Sequence, residues 1–80
     1  MSKLRPSFDL MMTIWADKGN AAVAEHLGAP TVNIGMRQFK RAYLYPYAIE
    51  RMGGIPLTHE QHEALKEMWR QERGIVHDLQ

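Results

Sequence analysis

Glycine and proline divide this chain into stretches that only short helices can fill. Gly19, Gly28, Pro30, Pro46, Gly53-Gly54 and Gly74 interrupt it, and between them apolar residues recur at three- and four-residue steps rather than alternating. No strand period, internal repeat or low-complexity segment is present. The expectation is an all-α fold of five short helices, and 80 residues leave room for one domain, 1–80.

The helix ends are marked chemically. Ser7 is placed to cap a helix running to Lys18, with Asp9 near its positive end and Gly19 terminating it. Asn20 is placed to cap "AAVAEHL", which Gly28 stops. A third helix is expected from Ile34 to Ala42, and Tyr45-Pro46 opens a fourth, since proline suits a first helical position. Thr58 and Gln61 form a capping box for the fifth, which carries Ala64, Leu65, Met68 and Trp69 on one face and ends at Gly74.

Net charge is only +1, but it is unevenly spread. Between His26 and Ile49 there is no carboxylate, while Arg37, Lys40 and Arg41 cluster there. Such a cationic stripe in a near-neutral chain fits a surface that meets nucleic acid. The absence of cysteine excludes disulfides and thiolate metal sites. "HEQHE" spaces His59 and His62 three apart and offers Glu63, but lacks further ligands, so no metal and no cofactor is expected. No nucleophile elbow, phosphate-binding glycine loop or paired acids point to an enzyme. Without an apolar run of about 18–20 residues, no membrane span is expected, and a cytoplasmic location is.

Ala24 and Gly28, four apart, supply the small residue and the turn glycine that join two helices closely. The facing of the next helix then has two solutions. A short turn sends Ile34 and Arg37 inward and leaves Phe39 in water, which is costly on both counts. A turn two residues longer sends Met36 and Phe39 inward and Arg37, Gln38 and Arg41 outward, with Asn33 at the helix start. Burial of large apolar side chains, about 1.5–3 kcal/mol each, favours the second. Gly35 is expected to weaken this helix by about 1 kcal/mol relative to alanine.

"GNAAVAEHLG" followed by "MRQF", and then "YPYAIERMGG", resemble the small Cro-like and YdaS-like helix-turn-helix regulators of phages and prophages, over residues 10–57. The resemblance implies a lambda-repressor/Cro-like helix-turn-helix core at 7–57, followed by a C-terminal helix and tail at 58–80. It implies a sequence-specific repressor that binds operator DNA as a homodimer, with Arg37 and Gln38 on base edges and Lys40 and Arg41 on phosphate. Asn33, Thr31, Asn20 and Lys18 are further candidate contacts near helix starts, with capping the plainer role of Thr31 and Asn20. Trp69 and Met68, or Tyr43 and Tyr45 of "YLYPY", are the candidate dimer or partner surface, although core packing is the simpler role of both groups. The competing reading is a small interaction module or antitoxin that keeps the scaffold but binds another protein, which the low net charge and acidic last helix would suit.

Overall fold

Ser7 holds an extended backbone and its hydroxyl accepts a hydrogen bond from the Leu10 N–H at 3.1 Å, starting α1 (Phe8–Lys18) where the sequence predicts. The structure, a computed structural model, describes residues 5–78, with side chains through Gly74, and the described residues form four helices and no strand. Gly19, at φ +98°, closes α1 by donating to the Ile14 and Trp15 carbonyls, and its own carbonyl accepts from the Val23 N–H of α2 (Asn20–Leu27). One residue therefore serves both helices. Asn20 becomes the first residue inside α2 and not its cap, because no residue is left between the helices for a side-chain cap. Gly28, at φ +72°, ends α2: its N–H donates to Glu25 and the Ala29 N–H to Ala24, the paired closure that only a left-handed residue permits easily.

Residues 28–31 lead into α3, which begins at Val32 and not at Ile34. The reason is Thr31, whose hydroxyl accepts from the Ile34 N–H at 3.1 Å; the cap is Thr31, and Asn33 already lies in the first turn. α3 runs through an α segment (Val32–Phe39), a π-helical segment (Lys40–Leu44) and a second α segment (Tyr45–Met52) without a break, since every junction residue stays helical. The third and fourth helices expected from sequence are thus one. Pro46, expected to open a helix, sits inside it. A proline there removes one N–H and crowds the carbonyl four residues back, that of Ala42. The wider π turn, in which the Tyr45 N–H reaches the Lys40 carbonyl, lies immediately before it, and both Pro46 and Ala42 face solvent.

α4 (His59–Asp78) starts with the expected capping box. The Thr58 hydroxyl accepts from the Gln61 N–H, and the Gln61 side chain accepts from the Thr58 and Leu57 N–H groups. Gly74 does not end it; the helix continues to Asp78, for a glycine stops a helix only where it turns left-handed. No helix among the described residues is long and apolar enough to cross a membrane.

A single core joins all four helices: Met11, Met12 and Trp15 of α1, Val23 of α2, Met36, Phe39, Tyr43, Leu44, Tyr47 and Ala48 of α3, and Leu65 and Trp69 of α4. Aromatic contacts hold it, with Trp15 tilted against Phe39 at 5.5 Å and Trp69 edge-to-face with Phe8 at 5.4 Å and with Tyr47 at 5.7 Å. Phe39, Tyr43 and Tyr47 recur every four residues, and each such step over-rotates a regular α-helix by about 40°. The π turn takes up part of that excess and keeps the three rings on the core side.

The closest helix contact is α2 on α3. A Cβ on Gly35 would lie 2.5 Å from the Ala24 Cβ and 2.6 Å from the Ala24 Cα, distances that no flexible side chain can relieve. Gly35 is buried and required, where its sequence role was expected to be a weak point of the helix. Gly74, by contrast, sits in a helix with open space around it. In urea titrations Gly35→Ala is expected to lose about 1–3 kcal/mol, overpacking outweighing better helix propensity. Gly74→Ala is expected to gain up to about 1 kcal/mol. A Gly35→Ala protein as stable as wild type would refute the close approach.

Candidate nucleic-acid interface

The rotational setting of α3 follows from Gly35. With that residue against Ala24, Met36 and Phe39 fall inside, 8% and 0% exposed, while Arg37, Gln38 and Arg41 are open to solvent. The facing inferred from burial holds, although the helix starts two residues earlier than expected and the connection is not lengthened to reach it.

Two depressions share this face. One, of about 390 Å³, is lined by Arg5, Leu27, Arg37, Gln38, Arg41, Ala42 and Tyr43. The other, of about 420 Å³, is lined by Asn33, Met36, Arg37, Lys40, Arg41 and Tyr45. Arg37 and Arg41, one helical turn apart, form the ridge between them. Among the described residues, neither depression has a carboxylate in its lining.

The electrostatics separate these cations from those of α4 and from Arg51. On α4, Lys66 pairs with Glu63 at 3.3 Å, Arg70 with Glu67 at 3.4 Å and Asp17 at 3.8 Å, and Arg73 with Asp9 at 2.9 Å. Arg70 also donates to the Ala16 carbonyl in the last turn of α1. Arg51, at the end of α3, pairs with Glu72 at 2.9 Å and lies over the Tyr47 ring. These pairs leave a trace in ionisation: the Lys66 hydrogen bond holds the Glu63 carboxyl below its ordinary value, and burial pushes the Tyr47 hydroxyl up. Among the described residues, Arg5, Lys18, Arg37, Lys40 and Arg41 have no carboxylate within ion-pair distance, and all of these but Lys18 line the two depressions.

The other residues singled out from sequence disperse. Thr31 is used as the α3 cap. Asn20 is exposed at the start of α2, and Lys18 lines a separate depression with Ile14, Ala22, Glu25 and His26. Trp69 and Tyr43 are not available as a dimer or partner surface. Trp69 is 5% exposed and its indole N–H donates to the Thr13 hydroxyl, and Tyr43 is 6% exposed with its hydroxyl donating to the Pro6 carbonyl at 2.7 Å. Met68 is half-buried against the same core, and Tyr45 is half-buried in the second depression. Among the described residues, the large apolar side chains still open to solvent are Phe8, Leu10, Val32, Ile34, Ile49, Ile55 and Leu57.

His62 is tied into its own helix, its Nδ1 2.7 Å from the Thr58 carbonyl and its ring edge-on to Trp15. Among the described residues no three His, Asp or Glu are grouped to hold a metal ion.

Arg5 was not foreseen as part of this face. It precedes the first helix, and the Tyr43–Pro6 hydrogen bond, 37 positions apart, ties the neighbouring backbone to α3. No sequence spacing signals that contact. No family model, curated protein or solved structure matches the chain.

The roles of Thr31 and the two arginines separate in stability measurements. Thr31→Ala is expected to lower the unfolding free energy by about 1 kcal/mol through loss of the cap. Arg37→Ala and Arg41→Ala are expected to change it by less than about 0.5 kcal/mol, since neither side chain has an ion-pair partner to lose. A larger loss from either arginine variant would place its guanidinium in the fold's own support.

Proposed function

We propose that this chain is a cytoplasmic, non-enzymatic DNA-binding regulator of the helix-turn-helix kind, a Cro-like repressor that reads operator DNA as a homodimer. α2 lies across the phosphate backbone and α3 enters the major groove. The observation that carries this reading is that, among the described residues, Arg37, Lys40 and Arg41 share one face of α3 with no carboxylate within ion-pair distance, while Lys66, Arg70 and Arg73 of α4 are matched with acids. Cations held without partners on a helix face cost little in water and are ready to displace counterions from a polyanion.

In this arrangement Arg37 presents its fork to guanine O6 and N7, and Gln38 pairs with adenine N6 and N7. Lys40 and Arg41 meet phosphates and set the register. Val32 and Ile34, 43% and 37% exposed in the first turn of α3, suit the methyl groups of thymines in the same groove. Two copies on a near-palindromic site would set their α3 helices one DNA turn apart, about 34 Å.

Binding to duplex DNA at increasing salt tests the proposal. Affinity is expected to fall steeply, and the Lys40→Ala/Arg41→Ala double variant to flatten the log–log slope by about 1.8, or about 0.9 per phosphate charge lost. Gln38→Ala is expected to keep the slope and lose preference among sequences selected from a random pool. A wild-type protein that binds no duplex at low salt would overturn the reading in favour of a protein-binding module.

A further inference from the structure

We infer that the N-terminal segment completes the DNA-contacting face: Arg5, brought to the same depression as Arg41 beside the Tyr43–Pro6 hydrogen bond, forms with Arg41 a two-guanidinium cradle for a backbone phosphodiester, next to the base-reading Arg37. This rests on the DNA-binding reading above and adds to it a residue outside the two helices that carry that reading.

Two features carry it. The 390 Å³ depression brings together arginines from two parts of the chain, Arg5 from the segment before α1 and Arg37 and Arg41 from α3, with the Gln38 amide as a further polar group. Among the described residues its other lining groups are Leu27, Ala42 and Tyr43, with no carboxylate to neutralise the arginines from within. Like charges gathered in one concavity repel one another, and an anion placed among them relieves the repulsion. Guanidinium is the side chain suited to phosphate oxygens, because its planar fork donates two parallel hydrogen bonds.

The second feature is the anchor. The Tyr43 ring is buried in the core against Phe39, with centroids 5.9 Å apart, while its hydroxyl reaches the Pro6 carbonyl at 2.7 Å. Pro6 has a restricted φ and Ser7 is already the cap of α1, so the backbone next to Arg5 is constrained from both sides. Tyr43 thus acts as a positioning residue. It touches the N-terminal backbone and through it sets where Arg5 stands, lowering the ordering cost of a phosphate contact.

The experiment is a double-mutant cycle on the full chain, read by duplex affinity at several salt concentrations. Arg5→Ala is expected to flatten the salt slope by about 0.9 and weaken binding about tenfold, equally for all duplex sequences. Arg5→Lys keeps the charge and is expected to restore the slope. Tyr43→Phe retains the ring and is expected to weaken binding about threefold. In the Arg5→Ala background Tyr43→Phe is expected to add nothing, an outcome that a merely structural role for the hydroxyl would not produce. If wild type binds duplex but Arg5→Ala keeps its affinity and slope, the cradle is refuted and the α3 reading survives. Equal losses from Tyr43→Phe in both backgrounds refute the positioning role. No binding by wild type refutes the α3 reading and the cradle together. Inorganic phosphate, titrated in parallel and followed by the Arg5 and Arg41 side-chain resonances, separates the sources of the anion. Saturation below millimolar phosphate would point to a free phosphate ligand and overturn the assignment to the DNA backbone.

Discussion

The approach of Ala24 to Gly35 determines the rest of the surface. Two helices can meet at this distance only where neither presents a side chain larger than a methyl group, and Gly35 presents none. Once Gly35 faces α2, the helical period places its neighbours. Met36 and Phe39 turn toward α1, and Arg37, Gln38 and Arg41 are left outside. The exposure of the cations is thus a consequence of a steric contact made on the opposite side of the same helix. A larger residue at either position would separate the helices and disturb the core and the cationic face together.

The distribution of charge acquires meaning against that framework. Ion pairs on a protein surface contribute little to stability, typically about 0–1 kcal/mol each, so pairing the α4 cations with acids is not what holds the fold. What the pairing does is cancel fields locally. Asp9, Asp17, Glu63, Glu67 and Glu72 are all engaged with arginines or lysine on α4 or at the end of α3. None of these acids lines the two depressions around Arg37 and Arg41. A chain with net charge +1 therefore presents a face of positive potential. Net charge alone would have hidden this.

What could be read from the sequence, and what could not, divides along the range of the interactions. Caps at Ser7 and Thr58 are local, and both were legible because their partners sit three residues away. The facing of α3 was legible because its two solutions differ by burying a phenylalanine or an arginine. Its starting residue was not, since Thr31 and Asn33 are both competent caps and only the geometry of the preceding turn chooses between them. Gly35 reads as a defect when judged by propensity alone, because the Ala24 contact that requires it comes from another helix. Trp69 and Tyr43 have the pattern of a stripe that suits a core or an interface equally, and tertiary packing placed them in the core. Arg5 was invisible for the same reason in stronger form: its place depends on a hydrogen bond between residues 37 positions apart.

The π turn connects these long-range effects. Had the chain broken before Pro46, as a proline after a helical run suggests, Tyr47 and Ala48 would belong to a separate helix whose orientation α3 could not dictate. Continuity makes one rod of the cationic first half and the aromatic second half. The packing of Tyr47 against Trp69 at one end is then mechanically linked to the exposure of Arg37 at the other. Tyr43 sits within the widened turn itself, buried by its ring and extended by its hydroxyl to Pro6. A regular α-helical turn here would shift the ring relative to Phe39 and Tyr47, and the hydroxyl with it. The irregularity that accommodates a proline is therefore also what lets one buried tyrosine reach the N-terminal backbone, so the local backbone chemistry of residues 40–46 governs the position of a cation that lies before the first helix.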